Sequence, residues 1–156
     1  MTNQDRTKLL IVEDQDEVRK LLRIALAGLK YEVVDASTGT EALAVARRLR
    51  PAVMLLDILL PGELNGFEVC ERIKFNHDTH DTFVILISGM SAEDNFQEAM
   101  RVGANAYLVK PFRLASLERV ITNRDHLQNT FTLIRSLDEF NESHSVHSHS
   151  WHSALA

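Results

Sequence analysis

The chain has 156 residues, 45% of them hydrophobic and 25% charged, with a net charge of −5 at neutral pH. That is one globular domain with a short remainder, and the acidic balance excludes a broad basic face for direct nucleic-acid binding. A single cysteine, Cys70, excludes an intramolecular disulfide, and the lack of either a signal-peptide core or a run near the ~20 apolar residues of a membrane helix leads to the expectation of a cytoplasmic protein with no membrane contact.

In chain order, short apolar runs alternate with amphipathic segments of helical length. "KLLIV" (Lys8–Val12) reads as a strand. From Asp16 the apolar positions Val18, Leu21, Leu22, Ala25, Leu26 and Leu29 take helical spacing, with Gly28 near the end. "YEVVDA" (Tyr31–Ala36) is a second strand, and Thr38 with Glu41 forms a capping-box pattern opening a helix that Pro51 closes. "AVMLLD" is the third strand, followed by a helix marked by Phe67, Cys70, Ile73 and Lys74. "TFVILIS" (Thr82–Ser88) is the fourth strand, and Ser91 with Asp94 opens a helix through Phe96, Ala99, Met100 and Val102, with Gly103 as its stop. "AYLV" (Ala106–Val109) is the fifth, with a last helix starting near Arg113. Strands apolar on both faces and separated by helices predict an α/β fold: a flavodoxin-like, doubly wound (βα)₅ three-layer sandwich on a five-stranded parallel sheet. Ligands of such sheets sit beyond the carboxyl ends of the strands.

Those ends carry Glu13, Asp14, Asp57, Ser88 and Lys110. Asp57 is a lone carboxylate among Leu55, Leu56, Ile58, Leu59 and Leu60, where desolvation is costly. Three carboxylates in one cleft raise one another's pKa values, and a divalent cation, Mg²⁺ or Mn²⁺, removes that conflict. Lys110 adds a second positive charge and Ser88 a hydrogen-bond donor, a set suited to a phosphoryl group, with Asp57 as nucleophile.

The ordered set "IVEDQ", "LLDILLPG", "ILISG" and "YLVKPF", each at the end of its strand, is similar to the receiver domain of two-component response regulators over Lys8 to about Arg124. The resemblance implies that Asp57 is the phosphoacceptor, with Asp14 binding Mg²⁺ directly, Glu13 binding it through a water and the backbone carbonyl of Leu59 completing the site. It implies that Ser88 is a switch hydroxyl, that Tyr107 is an aromatic switch whose ring moves inward, that Lys110 binds phosphoryl and that the bond before Pro111 is cis. Leu59 and Met90 hold the positions that tune dephosphorylation in this family. Both are apolar and cannot order a water, which predicts slow autodephosphorylation where their side chains cover the phosphoryl group. The implied partners are a histidine kinase or a histidine phosphotransfer protein on one side and a downstream protein, met by the surface of the fourth helix, fifth strand and fifth helix, on the other. The loop "PGELNG" is one residue longer than the family pattern, and Glu63 is expected to bulge outward.

The domain reading is a receiver over 1–124, a helical extension over 125–140 and a disordered Ser/His-rich tail over 141–156. In the extension, Leu127, Phe131 and Ile134 form a helical stripe that needs a partner. It either folds back on the receiver or pairs with a second copy, and a homodimer through the last helix and its extension is the expectation. Too few residues follow the receiver for a typical output domain, so the chain is a stand-alone receiver or a fragment of a longer regulator. Cys70 reads as inert core and "FNHDTHD" as a solvated loop. A phosphatase with an aspartyl nucleophile would need a second acid where Leu59 stands, and a flavin-phosphate loop would not be as acidic as "EDQDE".

Overall fold

Strands and helices alternate along residues 7–89 and 93–134, the part of the chain that the computed structural model describes. They are β1 (Lys8–Val12), α1 (Asp16–Leu26), β2 (Glu32–Ala36), α2 (Gly39–Leu49), β3 (Val53–Asp57), α3 (Gly66–Lys74), β4 (Phe83–Ser88), α4 (Glu93–Arg101), β5 (Ala106–Val109), α5 (Leu114–Thr122), the single turn α6 (Arg124–Leu127) and β6 (Thr132–Ile134). All pairings are parallel, in the order β2-β1-β3-β4-β5-β6. Every residue of β3 and β4 is buried, since each has a neighbour strand on both edges and helices on both faces.

Side chains alternate between the faces. Leu10, Val12, Met54, Leu56, Val84, Leu86, Tyr107 and Val109 form one core with α2, α3 and α4. Leu9, Ile11, Leu55, Phe83, Ile85, Ile87 and Leu108 form the other with α1 and α5. On α1, Leu22 and Leu26 are buried, whereas Leu21, expected on the apolar stripe, is 67% exposed.

Local signals set the helix ends. Thr38 accepts from the Glu41 N–H, but the Glu41 carboxylate accepts from Ser37 rather than from the Thr38 backbone, so only half of the expected box forms. Arg50, just before Pro51, ends α2 in the left-handed region at φ 46°. Gly103, at φ +85°, follows α4 as the glycine stop. The Ser91–Asp94 cap lies outside the described residues, because Ser91 is not among them.

The sequence reading needs correction past α5. The sheet has six strands rather than five, and the helix expected over 125–140 does not form in the described part: the chain makes one turn, α6, then pairs Thr132–Ile134 with β5. Without β6, the N–H and C=O groups along the outer edge of β5 would be unpaired. Leu127 and Ile134 pack into the α1/α5 core, while Phe131 and Leu133 pack into the other. Of the two readings of the stripe, its described part, Leu127, Phe131 and Ile134, takes the fold back onto the receiver, and the described fold extends to Ile134.

Candidate functional site

Parallel strands deliver their carboxyl ends to one edge. Asp57 ends β3, Ser88 ends β4, Glu13 and Asp14 follow β1, and Lys110 follows β5. Asp57 is 8% exposed, and both of its oxygens are engaged: Oδ1 accepts the Leu59 N–H at 2.9 Å and Oδ2 accepts from Lys110 Nζ at 3.0 Å. Lys110 Nζ also lies 3.7 Å from Glu13 Oε2, and Glu13 Oε1 accepts the Gln15 N–H at 3.2 Å.

One carboxylate oxygen from each of Glu13, Asp14 and Asp57 lies within 4.8 Å of the others. Glu13 and Asp57 are buried and Asp14 is exposed. Burial, and then the neighbouring Asp57, push the Glu13 carboxyl up from 4.5 to about 7. Lys110 alone does not neutralise three acids. Hard oxygen donors at this spacing, one of them driven toward its protonated form by burial and by Asp57, fit a small divalent cation such as Mg²⁺.

Tyr107 is fully buried on β5, with its ring edge-on to Phe96 at a centroid distance of 5.0 Å. Its hydroxyl hydrogen-bonds with the side chains of Ser88 and Asn95, and burial pushes its pKa up. The Lys110–Pro111 bond is cis. Leu59 donates its backbone N–H to Asp57, while the residue as a whole is 63% exposed. Met90 lies outside the described residues. Glu63 is exposed, as expected, and His77 and His80 stand in an exposed loop outside the acid cluster.

Several supporting residues escaped the sequence reading. Arg19 on α1 donates to the carbonyls of Glu13 at 2.7 Å and Asp14 at 3.4 Å and pairs with Asp16, so a guanidinium holds the acidic loop from beneath. In the long loop, Leu64 is buried and Asn65 caps α3 in a full capping box with Glu68, a signal present in the sequence as Asn-x-x-Glu. The loop's extra length thus contains an apolar anchor and a cap. Gly66 then passes so close to β3 that a Cβ there would lie 2.3 Å from the Asp57 carbonyl oxygen, a contact that no spacing rule exposes.

The family model described as response regulator receiver domain matches residues 9–122. A probable transcriptional regulator ycf27 from Pyropia yezoensis is 34% identical over 118 residues, 76% of this chain and 46% of that protein. The phosphate regulon transcriptional regulatory protein PhoB of Pseudomonas aeruginosa is 36% identical over 104 residues, 67% of this chain and 45% of its own. This chain therefore spans about half the length of these relatives. Among solved structures, the Vibrio cholerae chemotaxis protein CheY4 superposes with a TM-score of 0.69 at 30% identity, over 75% of this chain and 97% of that one. The receiver domain of sensor histidine kinase PA1611 from Pseudomonas aeruginosa, which has magnesium coordinated in its active-site cleft, gives 0.67 at 28% identity over 76% and 95%. Among the described residues no helix is long and apolar enough to cross a membrane.

Proposed function

This chain belongs to the response regulator receiver domain family, and on that footing we propose that Asp57 accepts a phosphoryl group from a phosphohistidine in a Mg²⁺-dependent reaction and passes the change to a partner-binding surface. The family makes it a phosphoacceptor signalling domain of two-component systems rather than an enzyme that turns over an external substrate. The observation that carries the reading is the grip of Lys110 on Asp57 Oδ2 at 3.0 Å within a cluster of three acids.

A carboxylate oxygen of Asp57 attacks phosphorus, the O–P bond forms as the P–N bond to the donor imidazole breaks, and the departing nitrogen takes a proton. Glu13, Asp14, Asp57 and the Leu59 carbonyl would hold the cation, which when bound neutralises charge on the phosphoryl oxygens. The Leu59 N–H orients the acceptor through Oδ1, and Lys110 is close enough to follow the new anion once Oδ2 or the phosphoryl needs it. Ser88 supplies a hydroxyl proton to a phosphoryl oxygen, and Tyr107, joined to Ser88, carries that event into β5. The donor is a histidine kinase or histidine phosphotransfer protein. The responding surface is the edge formed by α4, the β5–β6 pair and α5, since β6 now stands outermost. The relatives called transcriptional regulators are matched over only about half their length.

The test is intact mass spectrometry after acetyl phosphate and Mg²⁺, beside Asp57→Ala. One phosphoryl group on the wild type and none on the variant is the expected result. No gain, or an equal gain in the variant, refutes the reading.

A further inference from the structure

We propose that Phe131–Ile134 is an internal latch on the β5 edge that holds the Tyr107 ring inward, and that its grip tightens when Asp57 is phosphorylated. The proposal rests on the reading of Asp57 given above and adds a regulatory contact from outside the acid cluster.

β6 is a three-residue strand, paired among the described residues on one side only, with Ala106 level with Thr132, Tyr107 with Leu133 and Leu108 with Ile134. Bonds outside the ladder fasten the segment as well. The Thr132 N–H donates to the Asn105 carbonyl at 3.0 Å, and Asn105 Nδ2 donates to the Gln128 carbonyl at 3.3 Å. Asn105 Oδ1 meanwhile accepts the Val84 N–H at 2.9 Å, tying the latch to β4 as well as to β5. A strand this short at a sheet edge belongs to the part of a fold that opens first.

Its side chains reach the switch. Register partners in a parallel pair point to the same face, so Leu133 stands beside Tyr107, and it packs with Phe131 onto the core that contains Tyr107, Phe96 and Val109. The Tyr107 ring fills that core, and its hydroxyl meets Ser88 at the end of β4, where Asp57 is level with Ile87. An outward ring would leave a void under Leu133 and Phe131, so the inward ring and the docked strand support each other.

The hydroxyls connect this packing to the site. Each has one proton and two lone pairs. Once Ser88 gives its proton to a phosphoryl oxygen, its Oγ is left to accept from Tyr107, and hydrogen bonds in such a chain strengthen one another. A docked β6 therefore presets Ser88 for the phosphoryl group. Coupling is reciprocal, so the phosphoryl group must in turn stabilise docked β6.

The experiment is hydrogen–deuterium exchange on the whole chain with Mg²⁺, with and without acetyl phosphate, with intact mass read in parallel. Amides of 132–134 are expected to exchange at least about 5-fold more slowly in the phosphorylated protein, the lower end of ordinary coupling. Leu133→Ala abolishes that difference and slows phosphorylation by a similar factor, leaves Mg²⁺ affinity by calorimetry unchanged, and Leu133→Met restores both. Unchanged or faster exchange alongside a full phosphoryl mass gain overturns the latch and leaves the Asp57 reading intact. No mass gain overturns both. A Leu133→Ala variant that also loses Mg²⁺ affinity overturns the latch in favour of a merely structural strand.

Discussion

Gly66→Ala separates two opposed effects whose magnitudes are known. Gly66 is the first residue of α3, where alanine normally gains up to about 1 kcal/mol over glycine. Its Cβ, however, would stand 2.3 Å from the Asp57 carbonyl oxygen and 2.6 Å from Ile58 Cα. Carbon contacts settle near ~3.5–4.0 Å, so one of the two segments must yield by about an ångström. β3 cannot yield freely, being buried throughout and paired to β1 and β4, and α3 is pinned by the Asn65 cap and by the Gly66 N–H to the Ile58 carbonyl at 2.8 Å. Overpacking of this kind costs ~1–3 kcal/mol. The net expectation is a loss of roughly 1–2 kcal/mol in urea denaturation. Because the clash falls on the backbone of the acceptor, the acetyl phosphate reaction should slow by as much as ~100-fold, the cost of a misplacement near 1 Å. Gly28→Ala, where an added Cβ meets nothing within 4 Å, should leave the rate unaltered. A Gly66→Ala protein at least as stable as wild type and phosphorylated at the wild-type rate would refute the close-approach argument.

Three further outcomes follow from the site and core. The Glu13 carboxyl, pushed up from 4.5 to about 7, keeps a proton in the folded protein that the unfolded chain has released, so its stabilising contribution is complete below 4.5 and is lost as pH rises through 7. In EDTA, wild-type stability should therefore fall across that window relative to Glu13→Gln, and parallel pH profiles would count against the shift. Leu59→Asn should shorten the phosphoryl half-life measured by loss of intact-mass signal, since an amide there can order an attacking water that leucine cannot. A wild-type half-life of seconds would remove the basis for that expectation. Cys70 is buried, with its thiol pushed up to about 12 by that burial, so Ellman's reagent should find no reactive thiol in the native protein and one after denaturation. Rapid native labelling would contradict the packing.

The strands and the acid cluster were legible because their signals are local. An apolar run with a charge at its end, repeated with helices between, is enough to place Glu13, Asp57, Ser88 and Lys110 on one edge. Asn65–Glu68 was equally legible and passed over, because the loop was read for its length rather than for its cap. β6 was not legible: Leu127, Phe131 and Ile134 are spaced as on a helix, and three strand residues are too few to show a period of two. What decides their state is the edge of β5, distant in sequence. Arg19's pairing with Asp16 three residues away was legible, but its grip on the acidic loop was not, since there it meets backbone carbonyls, which carry no residue identity.

The direction of β6 has a practical consequence. A parallel strand ends on the rim where its neighbours end, and Ile134 stands level with Leu108, just short of Lys110. A fluorophore placed at position 134 itself therefore stands at the reactive rim rather than at the opposite pole. Its anchor point lies on the strand beside Tyr107, so a label there serves as a short-range reporter of that strand.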